Sequence, residues 1–356
     1  MKLGVFLPTG NNGWILSETA PQYLPTYELN HSVVCRAEEF GFAYGLGMVT
    51  FRGYGGKTKH WNYTADVLTL TSALLATTRS MKIFASIGVL SLHPAMVARM
   101  AATIDDFAPG RLGINITTGW HRAEYAQMGM WPDDYFEYRY DYATEYAAIL
   151  QELWTTGVCD FKGKYFELDD CRLGPTPAHH IDICAAGMSP RGRRFSAKFA
   201  DFNFTRALGP EDIRAVNREL EVAAAEHGRR VKVLTPRTVI LDDTDELAYA
   251  KVAHYNDGAD KEALANQKGH YELDSSGTSS ALIASEIKTY QAIDPDNLSY
   301  LIGSPRTVAN RLNEIAAVGG LEAALFDFDD FREGLDRFGA EVLPLLDFDY
   351  TNGAPR

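Results

Sequence analysis

The chain is short of paired cysteines, of net positive charge and of long apolar runs, and each shortage excludes a class of protein. Its 356 residues hold four cysteines, Cys35, Cys159, Cys171 and Cys184, widely spaced and without a CxxC pair. That excludes a disulfide scaffold or a zinc ribbon. The four read as buried structural thiols in a reducing compartment. Lys and Arg total 34 against 47 Asp and Glu, a net charge of −13. So acidic a surface repels phosphate backbones and anionic lipid, so neither nucleic acid nor a membrane is an expected partner. No apolar run approaches the roughly 18 residues of a membrane helix. Met1 to Pro8 is one short apolar run closed by proline, which reads as a strand and not as a signal peptide. The expected location is therefore the cytoplasm. GxSxG and GxxxxGK[ST] are absent, and no GxGxxG follows the first strand. His179-His180 is the one histidine cluster, and without a partner at helical spacing it reads as a solvated loop pair, so no metal site is expected. No repeat and no low-complexity block interrupts the chain.

What is present is an alternation. Strand-like runs occur at Leu3–Leu7, Ala43–Met48, Lys82–Ile87, Leu112–Ile116, Ile181–Ala185, Asp201–Phe204, Val231–Ile240 and Ala323–Phe328. Helical patterns lie between or after them, at Tyr27–Phe40, Asp66–Ala76, Pro94–Phe107, Arg139–Trp154, Pro190–Phe199, Glu211–His227, Asp245–Tyr255 and Thr307–Val318. Runs such as Ile83-Phe84-Ala85-Ser86-Ile87 are nearly continuous in apolar residues, as strands covered on both faces must be. In the third helix Met96, Met100 and Ile104 recur at i, i+4 and i+8 and predict a core-facing stripe. Eight such units predict an α/β fold, a TIM-type (β/α)8 barrel with insertions, formed as one domain over residues 1–356. A doubly wound open sheet is the alternative. The extra length falls in residues 119–138 and 255–300, which read as insertions, the first at the site and the second as a lid.

Function in a barrel gathers on the loops after the strands. Asn115-Ile116-Thr117-Thr118-Gly119-Trp120 ends the fourth strand and leads to Glu124. Asn115 brings an amide to the mouth, Gly119 permits a sharp turn and Trp120 supplies a flat apolar wall. The same residue types also end strands that carry no site. Gly187-Met188-Ser189-Pro190 follows the fifth strand. It reads either as an anion pocket at a helix N-terminus or as a simple serine cap before proline. Arg139-Tyr140 could bring a guanidinium to that anion, or merely open an exposed helix. Gly10-Asn11-Asn12-Gly13-Trp14 and Met48-Val49-Thr50 occupy two further rims. Flat, amide-rich and anion-binding groups on consecutive rims suit a planar phosphorylated cofactor. They do not suit a hydrolase, because no carboxylate pair is legible on these rims.

On these residues the sequence resembles the flavin-dependent luciferase-like monooxygenases, and within them the pyrimidine monooxygenase (RutA) group. The likeness is carried by Gly10-Asn11-Asn12-Gly13-Trp14, Arg52-Gly53 with Gly55-Gly56-Lys57-Thr58, Ala98-Arg99-Met100-Ala101-Ala102-Thr103-Ile104-Asp105, Thr118-Gly119-Trp120, Arg139-Tyr140-Asp141-Tyr142, Ala200-Asp201-Phe202-Asn203-Phe204 and Phe326-Asp327-Phe328-Asp329-Asp330-Phe331. The resemblance implies FMN contacts at Val49, Thr50, Asn115, Glu124, Arg139, Tyr140 and Ser189. It implies Asn115, Ser86 and Trp120 as the catalytic set, with Leu46, Met48 and Phe204 in the substrate and oxygen pocket. It implies reduced FMN made by a separate NAD(P)H-dependent flavin reductase, O2 as co-substrate, and a flavin N5-peroxide that attacks and opens a small N-heterocyclic ring. A homo-oligomer is implied as well.

Three departures touch that pocket. Ser86 stands where the pyrimidine enzymes carry threonine, Val49-Thr50 replaces an Ile-Lys pair, and Thr205-Arg206-Ala207-Leu208-Gly209-Pro210 differs from a glycine-rich segment bordering the substrate. The ring is therefore expected to be uracil-like or of a pyridine or pyrazine type. The alternatives are a deazaflavin-dependent barrel oxidoreductase and a non-catalytic flavin-binding protein.

Overall fold

The computed structural model describes residues 1–273 and 291–351. In chain order the elements are β1 (Lys2–Phe6), α1 (Tyr27–Glu39), β2 (Tyr44–Gly47), α2 (Val67–Thr77), β3 (Lys82–Gly88), α3 (Pro94–Phe107), β4 (Leu112–Thr117), α4 (Arg122–Ala126), α5 (Tyr135–Thr156), β5 (Val158–Lys162), β6 (Glu167–Arg172), β7 (Asp182–Ala186), α6 (Pro190–Phe199), β8 (Phe202–Phe204), α7 (Pro210–Ala225), β9 (Lys232–Leu241), α8 (Asp245–Asp257), α9 (Lys261–Glu272), β10 (Tyr300–Gly303), α10 (Pro305–Val318), β11 (Leu321–Phe328) and α11 (Phe331–Arg337).

Eight parallel strands close a barrel in the order β1-β2-β3-β4-β7-β8-β9-β11 and back to β1. The open-sheet alternative is thereby excluded. The helices start where side chains can satisfy free backbone N–H groups. Thr26, Asp66, Ser189, Thr244 and Ser304 each accept such a hydrogen bond, and Pro94, Pro190 and Pro305 occupy first-turn positions. Each such cap is worth about 1 kcal/mol.

Alternate residues along the strands point inward. Phe6, Tyr44, Leu46, Phe84, Cys184, Phe202, Leu234, Ala323 and Leu325 form the interior cluster. A Cβ on Gly113 would stand 2.2 Å from the Phe84 ring, so glycine at that position makes room for the aromatic. The residues between them pack outward against the helices in a larger core. Burying one such Phe or Leu contributes about 1.5–3 kcal/mol.

All eight expected strands are barrel strands, with shifts of a residue or two at their ends. Among the described residues there are three further strands. β5 and β6 form an antiparallel hairpin between α5 and β7. β10 adds to β9, which pairs with β8 over Lys232–Leu234 and with β10 over Thr238–Leu241. The expected methionine stripe on α3 is not the buried one. Met96 is 51% exposed and Met100 half-buried, while Val97, Ala98, Ala101, Ala102 and Ile104 face the core. Small residues on that face let α3 lie close to its neighbours, which leaves the long methionines outside. Cys159 and Cys184 are buried, but Cys35 and Cys171 are only half-buried, so the thiols are not uniformly core residues. His179 and His180 are exposed as expected, yet neither is merely solvated. His179 meets Asp105 at 3.3 Å and His180 meets Asp201 at 3.0 Å. The second expected insertion includes α9, and its serine-rich tract from Asp274 to Ser280 lies outside the described residues.

Candidate active site

The strand register places Ser86 of β3 beside Asn115 of β4, both facing inward and both 2% exposed. Asn115 Nδ2 donates to Ser86 Oγ at 2.8 Å. Asn115 Oδ1 is buried without a hydrogen-bond partner. An amide held by one end with its carbonyl unsatisfied can accept from a bound group, and leaving such an acceptor empty costs about 1–3 kcal/mol.

Past β4 the chain turns at Gly119, whose φ of +76° suits glycine, and enters α4. Thr50 Oγ1, from the loop after β2, donates to Glu124 Oε1. His121 Nδ1 lies 3.2 Å from the same oxygen. His121 Nε2 is buried without a hydrogen-bond partner. Trp120 stacks with His121, at 5.3 Å, and with Tyr271 of α9, at 4.4 Å and nearly parallel.

Tyr271 belongs to an aromatic floor assembled from distant parts of the chain. Trp61, Tyr54, His60, His121 and His270 contact one another there at centroid separations of 3.9–6.1 Å. Trp14 meets Trp61 edge-on at 4.8 Å and Phe6 at 4.6 Å. Phe204 stacks on Phe6 at 5.5 Å. Burial pushes His60 down to about 3, and burial with His121 and Arg52 alongside pushes His270 down to about 4, so both are neutral at pH 7. Asp260 fastens α9 to the loop after β2, accepting from Thr58 N and Thr58 Oγ1 at 2.8 Å each. Leu46 lies inside the barrel with Met48 and Phe204 packed against its cluster.

The third group is a cradle at the N-terminus of α6. Ser189 Oγ accepts from Gly192 N at 3.1 Å, so the serine cap is real. A Cβ on Gly192 would stand 2.6 Å from Tyr140 Oη, and one on Gly187 would stand 3.0 Å from Gly192 Cα. The two glycines and the phenol thus pack closer than a side chain at Gly192 would allow, which leaves the backbone of this helix start bare. Asn203 Nδ2 donates to the carbonyls of Ala185 and Gly187 and to Ser196 Oγ, which fixes the loop. Arg139 is buried, not an exposed helix start, because α5 begins four residues earlier, at Tyr135. Its guanidinium lies 5.4 Å from the Tyr140 ring.

The expected residues therefore gather as Ser86 with Asn115, Thr50 with Glu124, and Tyr140 with Ser189. Val49 is half-buried against the outer core. The luciferase-like monooxygenase profile matches residues 1–322. The pyrimidine monooxygenase RutA of Bradyrhizobium sp. (strain BTAi1) is 48% identical over 350 residues, 97% of each chain. That of Caulobacter vibrioides (strain NA1000) is 45% identical over 355 residues, 97% of this chain and 98% of the relative. The chain belongs to the luciferase-like monooxygenase family. Riboflavin lyase (RcaE), solved with a modified FMN and riboflavin, shares this fold with a TM-score of 0.82 at 18% identity, covering 97% of this chain and 91% of its own.

Within this family barrel, His121 and the aromatic floor are what sequence reasoning missed. The spacing of His121 and Glu124, three apart where a helix begins, was the available signal for the first. The floor had none, because Tyr54, Trp61 and Tyr271 meet only in three dimensions. Among the described residues no helix is long and apolar enough to cross a membrane. His180, Asp182 and Asp201 form the one candidate metal cluster among them. It is exposed to half-buried and already tied to Lys82 and Arg229.

Proposed function

We propose that this chain is the oxygenase component of a two-component system that oxygenates and opens a small uracil-like N-heterocycle, using reduced FMN and O2. The observation that carries the reading is the mouth itself: a buried Asn115 carbonyl without a partner stands on the same rim as a glycine-framed helix N-terminus. The relatives named pyrimidine monooxygenase support the choice of ring.

The residues fit the cofactor. The cradle of Gly187, Ser189 and Gly192 at a helix N-terminus, with Tyr140 and Arg139 beside it, suits a phosphate. Thr50 and Glu124 would receive polar atoms of the same molecule. When bound, reduced FMN would supply the electrons that activate O2. Asn115, oriented by Ser86, would accept a hydrogen bond near the reacting atoms and hold the ring in register. Trp120, backed by Tyr271, would close one side of the pocket against water. NAD(P)H would enter through a separate flavin reductase. Residues 119–138 and 255–300 would act as insertions on one barrel domain. A cytoplasmic homo-oligomer completes the reading.

The test is an aerobic assay with FMN, NADH and a generic flavin reductase against uracil, pyridones and pyrazine, under 18O2 and read by mass spectrometry. One labelled oxygen in a ring-opened product is expected. FMN binding without product from any ring would sink the reading in favour of a flavin-binding protein. A preference for a deazaflavin over FMN would also overturn it.

A further inference from the structure

β11 carries a carboxyl group into the barrel mouth. Ala323 and Leu325 pack in the interior cluster, while Ala324, Phe326 and Phe328 pack in the outer core. The same alternation turns Asp327 inward. Its register partner on β9 is Thr238. On the other side Phe326 pairs with Val5, so the next step sets Asp327 beside Phe6, the ring that stacks on Phe204 and Trp14. In the ring of eight strands β11 lies four places from β4, so Asp327 and Asn115 approach the mouth from opposite walls.

Asp327 is 3% exposed, and its Oδ1 has no hydrogen-bond partner. The titratable groups that face it are Asp329, on its own strand end, and Tyr23, from the loop after β1. Neither is a cation. Lys251 is engaged by Asp329 and Asp242. Burial, with Asp329 nearby, pushes Asp327 up to about 8, so it holds its proton at pH 7. A protonated carboxyl presents one O–H donor and one carbonyl acceptor side by side. That pair complements the N–H and C=O edge of a cyclic amide.

We infer that Asp327 is a specificity residue which reads the amide edge of a lactam or cyclic ureide, so that rings bearing such an edge are favoured over rings without one. The inference rests on the proposed ring-opening activity and names the substrate class for it.

The experiment compares wild type, Asp327→Leu and Asp327→Asn as FMN-loaded holoenzyme with reductase. It reads KM and kcat for uracil and for pyrazine, and FMN affinity. Leucine removes both polar atoms, whereas asparagine keeps a donor and an acceptor in the same places. Asp327→Leu is expected to raise the uracil KM about tenfold or more, as loss of a two-point contact does, with kcat and FMN affinity within about twofold. Asp327→Asn is expected to restore the KM, and neither change should move the value for pyrazine. The wild-type KM should climb as pH passes about 8 and the carboxyl loses its proton. The asparagine variant should stay flat over the same range. An unchanged uracil KM in Asp327→Leu overturns the inference while leaving ring opening intact. Equal loss of FMN binding or of melting temperature in both variants makes Asp327 structural and overturns it as well. If wild type opens no N-heterocycle at all, the proposed function and the inference fall together.

Discussion

The two sides of the mouth are made of different materials. The side formed by β7, α6 and the start of α5 is built from backbone. A capped helix end, two glycines and an asparagine that bonds loop carbonyls leave few ways for the cradle to move. The side formed by the loops after β1 and β2, Trp120 and α9 is built from rings. Its pieces are far apart in sequence and meet through stacking and the Asp260 clamp. Backbone donors recognise charge with fixed geometry, whereas stacked rings exclude water and adapt to a shape. On the proposed function, the first side would hold the cofactor and the second the ring.

That contrast breaks most visibly if charge is placed in the cradle. Ser189→Asp would set a carboxylate against a phosphate in a desolvated site. FMN affinity should fall by about two orders of magnitude or more, measured by fluorescence titration. Unaffected binding would remove the cradle from the cofactor site. Asn115→Ala comes next. Oxygen insertion should drop by about a hundredfold or more while FMN affinity changes by less than about threefold. Unchanged turnover would end the role assigned to Asn115. Trp120→Ala removes the ring that stacks with His121 and Tyr271. Substrate KM should rise about tenfold, and more NADH should be consumed without product, with FMN affinity preserved. A loss of FMN binding instead would mean that the two sides are not separable.

The smallest effect concerns acid. His60 is fully buried and neutral, with its folded value depressed to about 3 against an ordinary 6.5. The unfolded chain takes up the proton first, so this residue stabilises the fold fully above about pH 6.5, and that contribution is lost as pH falls toward 3. His270, held at about 4, acts in the same sense over a narrower window. Melting temperature should fall with pH between about 6.5 and 4, and His60→Gln should flatten the fall. A melting temperature that is level over that range would refute it.

The contrast also explains what could be read from the sequence. The barrel strands were legible because burial on both faces forces unbroken apolar runs such as Ile83–Ile87. The cradle was legible because caps and glycines act over three or four residues. The hairpin of β5 and β6 was missed because its residues are largely exposed and lack an apolar pattern. β10 has four residues and borrows its partner from the upper half of β9. Met96 was misplaced because periodicity alone does not say that alanines, and not methionines, take the tight face of α3. Asp327 carried no chemistry as a letter in Phe326-Asp327-Phe328, since its meaning depends on which way β11 faces.

The division of β9 between β8 and β10 has an evolutionary consequence. After Leu234 the barrel wall parts, and Ala207 and Leu208 are held by the side chains of Thr235 and Arg237 in place of a strand ladder. Thr205 N still donates to the Leu234 carbonyl at 3.0 Å, so changes of length or residue in 206–209 disturb no inter-strand hydrogen bond of the barrel. The seam is a place where a lineage can remodel one edge of the barrel without reopening the fold.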